Sequence, residues 1–97
     1  MNRKRKGSRS ERRSREILKA QGYEVLKAGA SLGVFDRIGI GAEDILLVQV
    51  KTNSWPSRRE VARLEAIQCP ANCRKVIHRW RDRVGVPDVK ELNLRKR

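Results

Sequence analysis

Two short apolar runs separated by a turn-like cluster constrain this chain more than any other feature of it. Asp36-Arg37-Ile38-Gly39-Ile40 leads into Gly41-Ala42-Glu43-Asp44, and Ile45-Leu46-Leu47-Val48-Gln49-Val50-Lys51 follows. β-Branched enrichment on both sides of such a break predicts an antiparallel hairpin. A loop over 41–44 sets Ile40 opposite Ile45, so that Ile38 faces Leu47 and Asp36 faces Gln49. Side chains alternate along a strand, which puts Lys51 on the same face as Gln49 and Asp36. Cross-strand neighbours have Cβ atoms about 4.5–5.5 Å apart, close enough for an acid and an amide oxygen to share a cation.

The flanking segments supply the rest of a small domain. Ser8 and Glu11 stand at capping-box spacing, the helical pattern runs to Gln21, and Gly22 sits where a C-terminal glycine belongs. Tyr23 to Ala28 alternates as a strand, and the small residues of 29–33 connect it to the hairpin. After Lys51, Pro56-Ser57 opens a second helix through about Ile67, with Val61, Leu64 and Ile67 on one stripe. Arg74 to Arg81 reads as a fourth strand and Val84 to Leu94 as a fifth, with Pro87 favouring an edge. The order α-β-β-β-α-β predicts an α/β core in which two helices flank a mixed sheet of four to five strands. Residues 1–7 are expected as a basic arm, 8–94 as a single domain and 95–97 as a basic tail.

The chain has 97 residues and a net charge of +13, from 24 Lys and Arg against 11 acids. That length suits one domain with a modest core. So large a positive charge on so small a body points to a polyanionic partner, of which nucleic acid is the usual one. The sequence has neither a long apolar span nor a secretory leader, which leads to the expectation of a cytoplasmic protein away from membranes. Cys69, Cys73 and His78 suggest a zinc site but lack a fourth ligand at suitable spacing. Small apolar side chains are the alternative.

Glu11 shares a helix stripe with Ser14, Leu18 and Gln21, so it points to the side that Leu18 buries. Alone it also reads as a capping partner or an i,i+4 mate of Arg15. Taken in order, Arg5-Lys6-Gly7, Glu11, Gly22-Tyr23, Ala28-Gly29-Ala30-Ser31, Phe35-Asp36 and Gln49-Val50-Lys51 resemble the archaeal Holliday junction resolvases. These belong to the PD-(D/E)XK nuclease superfamily, whose core is restriction-endonuclease-like. The resemblance covers about residues 5 to 52 and is much weaker beyond Trp55.

The resemblance implies a metal-dependent endonuclease acting on branched DNA, as a homodimer because a four-way junction needs two symmetric cuts. It makes Glu11 the helix acid, Asp36 the central metal ligand, Gln49 the second acid position and Lys51 the lysine of the motif. Ser31 matches the small polar residue of the preceding loop. Phosphodiester hydrolysis needs an acidified water and positive charge beside the phosphate, which Mg²⁺ supplies through oxygen ligands and for which Mn²⁺ is a possible substitute. Asp36, the Gln49 amide oxygen and the Val50 carbonyl, with Glu11, form the expected ligand set. Arg3, Lys4, Arg5 and Lys6 are candidates for phosphate contact, Ser31 for the scissile phosphate and Trp55 for base stacking or a helix-entry staple. Trp80 reads as core. Two departures stand out: Gln49 where the family has Glu, and Phe35 where the superfamily name implies Pro. Mrr-like restriction nucleases resemble this chain in a QxK form. The alternative is a DNA-binding module that keeps the fold without cleavage; association with RNA rests on charge alone.

Overall fold

In a computed structural model the chain is described over residues 3–28 and 34–92. It forms α1 (Arg3–Ala20), β1 (Glu24–Lys27), β2 (Arg37–Ile40), β3 (Ile45–Thr52), α2 (Arg58–Ala66), β4 (Cys73–Trp80) and β5 (Asp88–Glu91). The five strands make one sheet in the order β1-β2-β3-β4-β5, with β3 and β4 parallel and the other pairs antiparallel. A parallel pair needs a crossover, and α2 provides it.

Alternation along β3 sorts the core into two layers. Leu47 packs with Phe35, Leu64, Cys73, Ile77 and Leu92 on the side of α2, while Leu46 and Val48 pack with Leu18 and Val76 on the side of α1. The sheet is thus covered by one helix on each face. The register pairs Ile40 with Ile45 and Ile38 with Leu47, as the loop length predicts. Tyr23 fixes the same turn. Its ring lies where a Cβ on Gly41 would come within 2.7 Å, and its hydroxyl donates to Asp44 Oδ1 at 2.8 Å.

Both helix starts differ from the sequence expectation. Residues 3–7, expected as an arm, form the first turns of α1, and Ser8 lies inside the helix instead of capping it. Lys and Arg are good helix formers, so a basic segment carries the helix outward with little cost. The C-terminal end follows expectation, with Gly22 at φ 97° closing α1. The true capping box sits at α2, where the Ser57 hydroxyl accepts from the Glu60 N–H and the Glu60 carboxylate accepts from the Ser57 N–H. Beyond β4, β5 is shorter than the 84–94 expected and follows Pro87 directly at the sheet edge. Among the described residues no helix is long and apolar enough to cross a membrane.

Candidate active site

β2 ends at Arg37, whereas β3 runs on to Thr52, so the edge of β3 beyond Val48 has no strand partner on that side. Asp36 fills the gap. Its N–H donates to the Val48 carbonyl at 2.8 Å, and its Oδ2 accepts from the Val50 N–H at 2.7 Å. The carboxylate therefore lies along the strand edge, in the plane of the sheet, instead of standing on one face with Gln49 and Lys51. A strand residue presents its N–H and C=O on the same side, so the Val50 carbonyl points to the edge that Asp36 occupies.

Gln49 and Lys51 do share a face, the one covered by α2. Gln49 is 8% exposed; its Nε2 donates to the Val34 carbonyl at 3.1 Å, and its Oε1 is buried without a hydrogen-bond partner. Such an orphaned acceptor is uncommon and costly, and a cation would satisfy it. Lys51 Nζ lies 3.6 Å from Glu60 Oε2, whose other oxygen is held by the α2 cap. The side chain that caps the helix also anchors the lysine.

Glu11 reaches the site from the other layer. Ser10, Ser14 and Leu18 bury the sheet-facing stripe of α1, and Glu11 stands at its margin, 3.5 Å from Arg37 Nη2. Burial pushes the Asp36 carboxyl above the ordinary carboxylate range, against the lowering effects of the Val50 N–H, Arg37 and Lys51. Burial also raises Glu11, and the Asp36 charge adds to it, while Arg37 and Lys27 pull it down. Burial is the main cause in both acids, and a cation bound beside Asp36 would favour its ionised form.

The Asp36 carboxylate, the Gln49 amide oxygen and the Val50 carbonyl, with the Glu11 carboxylate beyond them, are all hard oxygen groups of the kind that Mg²⁺ takes. Among the described residues no three His, Cys, Asp or Glu side chains cluster, so a cation here depends on the neutral oxygens. The zinc reading fails on geometry. Cys73 faces the α2 layer, whereas His78 faces α1 and shares a 2.9 Å hydrogen bond with Ser14.

Of the candidate DNA contacts, Arg3, Lys4, Arg5 and Lys6 lie on the first turns of α1, and Ser31 lies outside the described residues. Trp55 is 39% exposed, with the Arg79 guanidinium 4.6 Å from its ring centroid. Trp80 is core, its Nε1 donating to Ser14 at 2.8 Å. Sequence reasoning missed Arg37 and Glu60. Glu60 was legible as the fourth residue of Ser57-x-x-Glu, and Arg37 as a charge at a strand position that alternation turns toward a helix.

The family model described as archaeal Holliday junction resolvase (Hjc) matches residues 2–66. No match was found among curated proteins. The fold is similar to the solved structure of Hjc from Archaeoglobus fulgidus, a Holliday junction resolvase from an archaeal hyperthermophile, with a TM-score of 0.65 and 20% identity over 78% of this chain and 68% of that one. The matched residues 2–66 span Asp36 and Lys51. With two thirds of its length matched, this chain belongs to the archaeal Holliday junction resolvase (Hjc) family.

Proposed function

We propose that the chain is a Mg²⁺-dependent endonuclease that hydrolyses phosphodiester bonds in branched DNA, working as a homodimer on four-way junctions. The observation that carries this reading is the edge of β3, where Asp36, the Val50 carbonyl and the unpaired oxygen of Gln49 adjoin Lys51. Asp36, Gln49 and Val50 would hold the ion, with Glu11 beside them. When bound, Mg²⁺ supplies positive charge beside the phosphate and acidity to a nearby water.

The chain's own groups do the rest. Asp36 orients whatever binds at the edge, because both its backbone and its carboxylate are tied to β3. Lys51, held from behind by Glu60, presents its ammonium to the water or to the charge that builds on the phosphate oxygens. Arg3, Lys4, Arg5 and Lys6 supply phosphate contacts near the start of α1, and Trp55 supplies an aromatic face for an unpaired base. Ser31 is assigned to the scissile phosphate by the motif.

Asp36→Asn tests the reading. In Mg²⁺ this variant should still bind a four-way junction in a gel-shift assay, while its cleavage falls at least about 100-fold, the scale of losing a principal electrostatic contributor. The neutral Gln49, buried where the family has Glu, favours a second reading, a junction-binding module without cleavage. A wild type that never cuts linear, nicked, flap or four-way DNA in Mg²⁺ or Mn²⁺ decides for that one.

A further inference from the structure

Arg37 is a charged group of the site that the proposed chemistry does not use. It stands in β2 opposite Val48 on the face that α1 covers, and its side chain is 12% exposed. Nη2 lies 3.5 Å from Glu11 Oε1, and Nε is buried with no hydrogen-bond partner. A guanidinium does not give up its proton in a protein, and a buried charge needs a compensating one. Glu11 is that compensation.

The consequence concerns how many cations the site takes. A carboxylate that already faces a fixed cation binds another poorly, because the incoming ion meets the guanidinium across a few ångströms of low-dielectric space. Lys51 is likewise matched by Glu60, at 3.6 Å. Asp36 differs in its direct partner: its carboxylate is held by the Val50 N–H, a dipole, while Arg37 and Lys51 act on it through their charge without an ion pair among the described residues, and the orphaned oxygen of Gln49 lies on the residue adjoining Val50. Asp36 and Gln49, with the Val50 carbonyl beside them, thus remain available to an ion where Glu11 does not.

Building on the nuclease reading, we propose that Arg37 is a built-in cation that holds Glu11 in place of a second divalent ion, so that each chain takes a single cation through Asp36, Gln49 and the Val50 carbonyl. Glu11 and Arg37 then act as a positioning pair between α1 and β2, and neither ligates the metal.

Mn²⁺ titration of the full chain, followed by electron paramagnetic resonance without DNA, reads this directly. The wild type should take up one ion, and Glu11→Gln should take up one with affinity changed less than about threefold. Arg37→Leu frees Glu11 and should take up a second ion, which Arg37→Leu combined with Glu11→Gln loses again. Arg37→Lys keeps the charge and should stay at one. Two ions on the wild type, none on the wild type, or loss of the ion in Glu11→Gln each overturns the inference, and the last result stands even if Arg37→Leu fails to fold. A wild type that binds one Mn²⁺ yet cuts no junction defeats the nuclease reading and leaves this inference intact.

Discussion

Gln49 spends its amide unevenly: the nitrogen donates to Val34, and the oxygen is buried with nothing to accept. Changing it to Glu replaces the donor by a carboxylate oxygen aimed at a carbonyl and adds a charge in a buried place. Losing that hydrogen bond and leaving its partner unpaired costs about 1–3 kcal/mol, more if the carboxylate stays ionised. A divalent ion at Asp36 offsets the new charge. Gln49→Glu should therefore melt below the wild type in chelator and recover most of the difference in Mg²⁺, with half-maximal cleavage at lower Mg²⁺. Equal melting shifts with and without Mg²⁺ would place the cation elsewhere. The pairing of Gln49 with Lys51 was legible because strand alternation is local. The turn of Asp36 into the sheet plane was not, since it depends on β2 stopping at Arg37 while β3 continues, which frees the Val50 N–H for a side chain to take.

Among the elements, α1 is docked by a short hydrogen-bond chain. Trp80 Nε1 donates to Ser14 Oγ at 2.8 Å, and the same hydroxyl shares a 2.9 Å hydrogen bond with His78 Nδ1. Ser14 is fully buried, so Ser14→Ala strands two buried polar groups and should lower unfolding free energy by about 2 kcal/mol or more in urea titrations. Burial also pushes His78 below its usual range. Well above about pH 6.5, the ordinary value, neither state carries the proton, so this group makes no pH-dependent contribution there. Below that value the unfolded chain takes up a proton that the folded chain resists, and stability falls until the lowered folded pKa is reached. Comparing urea midpoints of wild type and His78→Gln between about pH 7 and pH 5 isolates the effect. The raised carboxyls of Asp36 and Glu11 carry the opposite sign and are common to both proteins. A wild type no more acid-sensitive than His78→Gln would refute the downward push of burial on His78. The alternation of Val76, His78 and Trp80 was legible, as was the β2–β3 register, because a one-residue slip would exchange two buried faces. Helix starts were not. Ser8 and Ser57 both head a Ser-x-x-Glu spacing, yet only Ser57 caps, because the basic residues before Ser8 carry α1 past it and Glu11 pairs with Arg37 instead.

Over the whole molecule, charge is arranged around the site more narrowly than a total of +13 suggests. Glu16, Asp44, Glu60, Asp88 and Glu91 are each drawn into ion pairs, with Arg15, Arg74, Lys51, Arg79 and Arg81. Exposed cations remain on both outer layers, among them Arg9, Arg12 and Lys19 on α1 and Arg58, Arg59 and Arg63 along α2. Glu11 lies in the first half of α1 and Glu60 in the first turn of α2, and both adjoin the β3 edge. The N-terminal halves of the two helices therefore lie on opposite sides of Asp36, and a DNA strand seated at that edge is expected to meet Arg9 and Arg12 on one side and Arg58 and Arg59 on the other. Each neutralised phosphate steepens the logarithmic salt dependence of binding by about 0.9. Junction affinity measured by fluorescence anisotropy across salt concentrations should therefore lose about two from its slope in Arg9→Gln/Arg12→Gln, and about two in Arg58→Gln/Arg59→Gln. Lys19→Gln/Arg63→Gln, at the far ends of the same helices and removing the same charge, should leave the slope nearly unchanged. Equal losses from all three pairs would mean that DNA responds to net charge alone and that the β3 edge does not set where it sits.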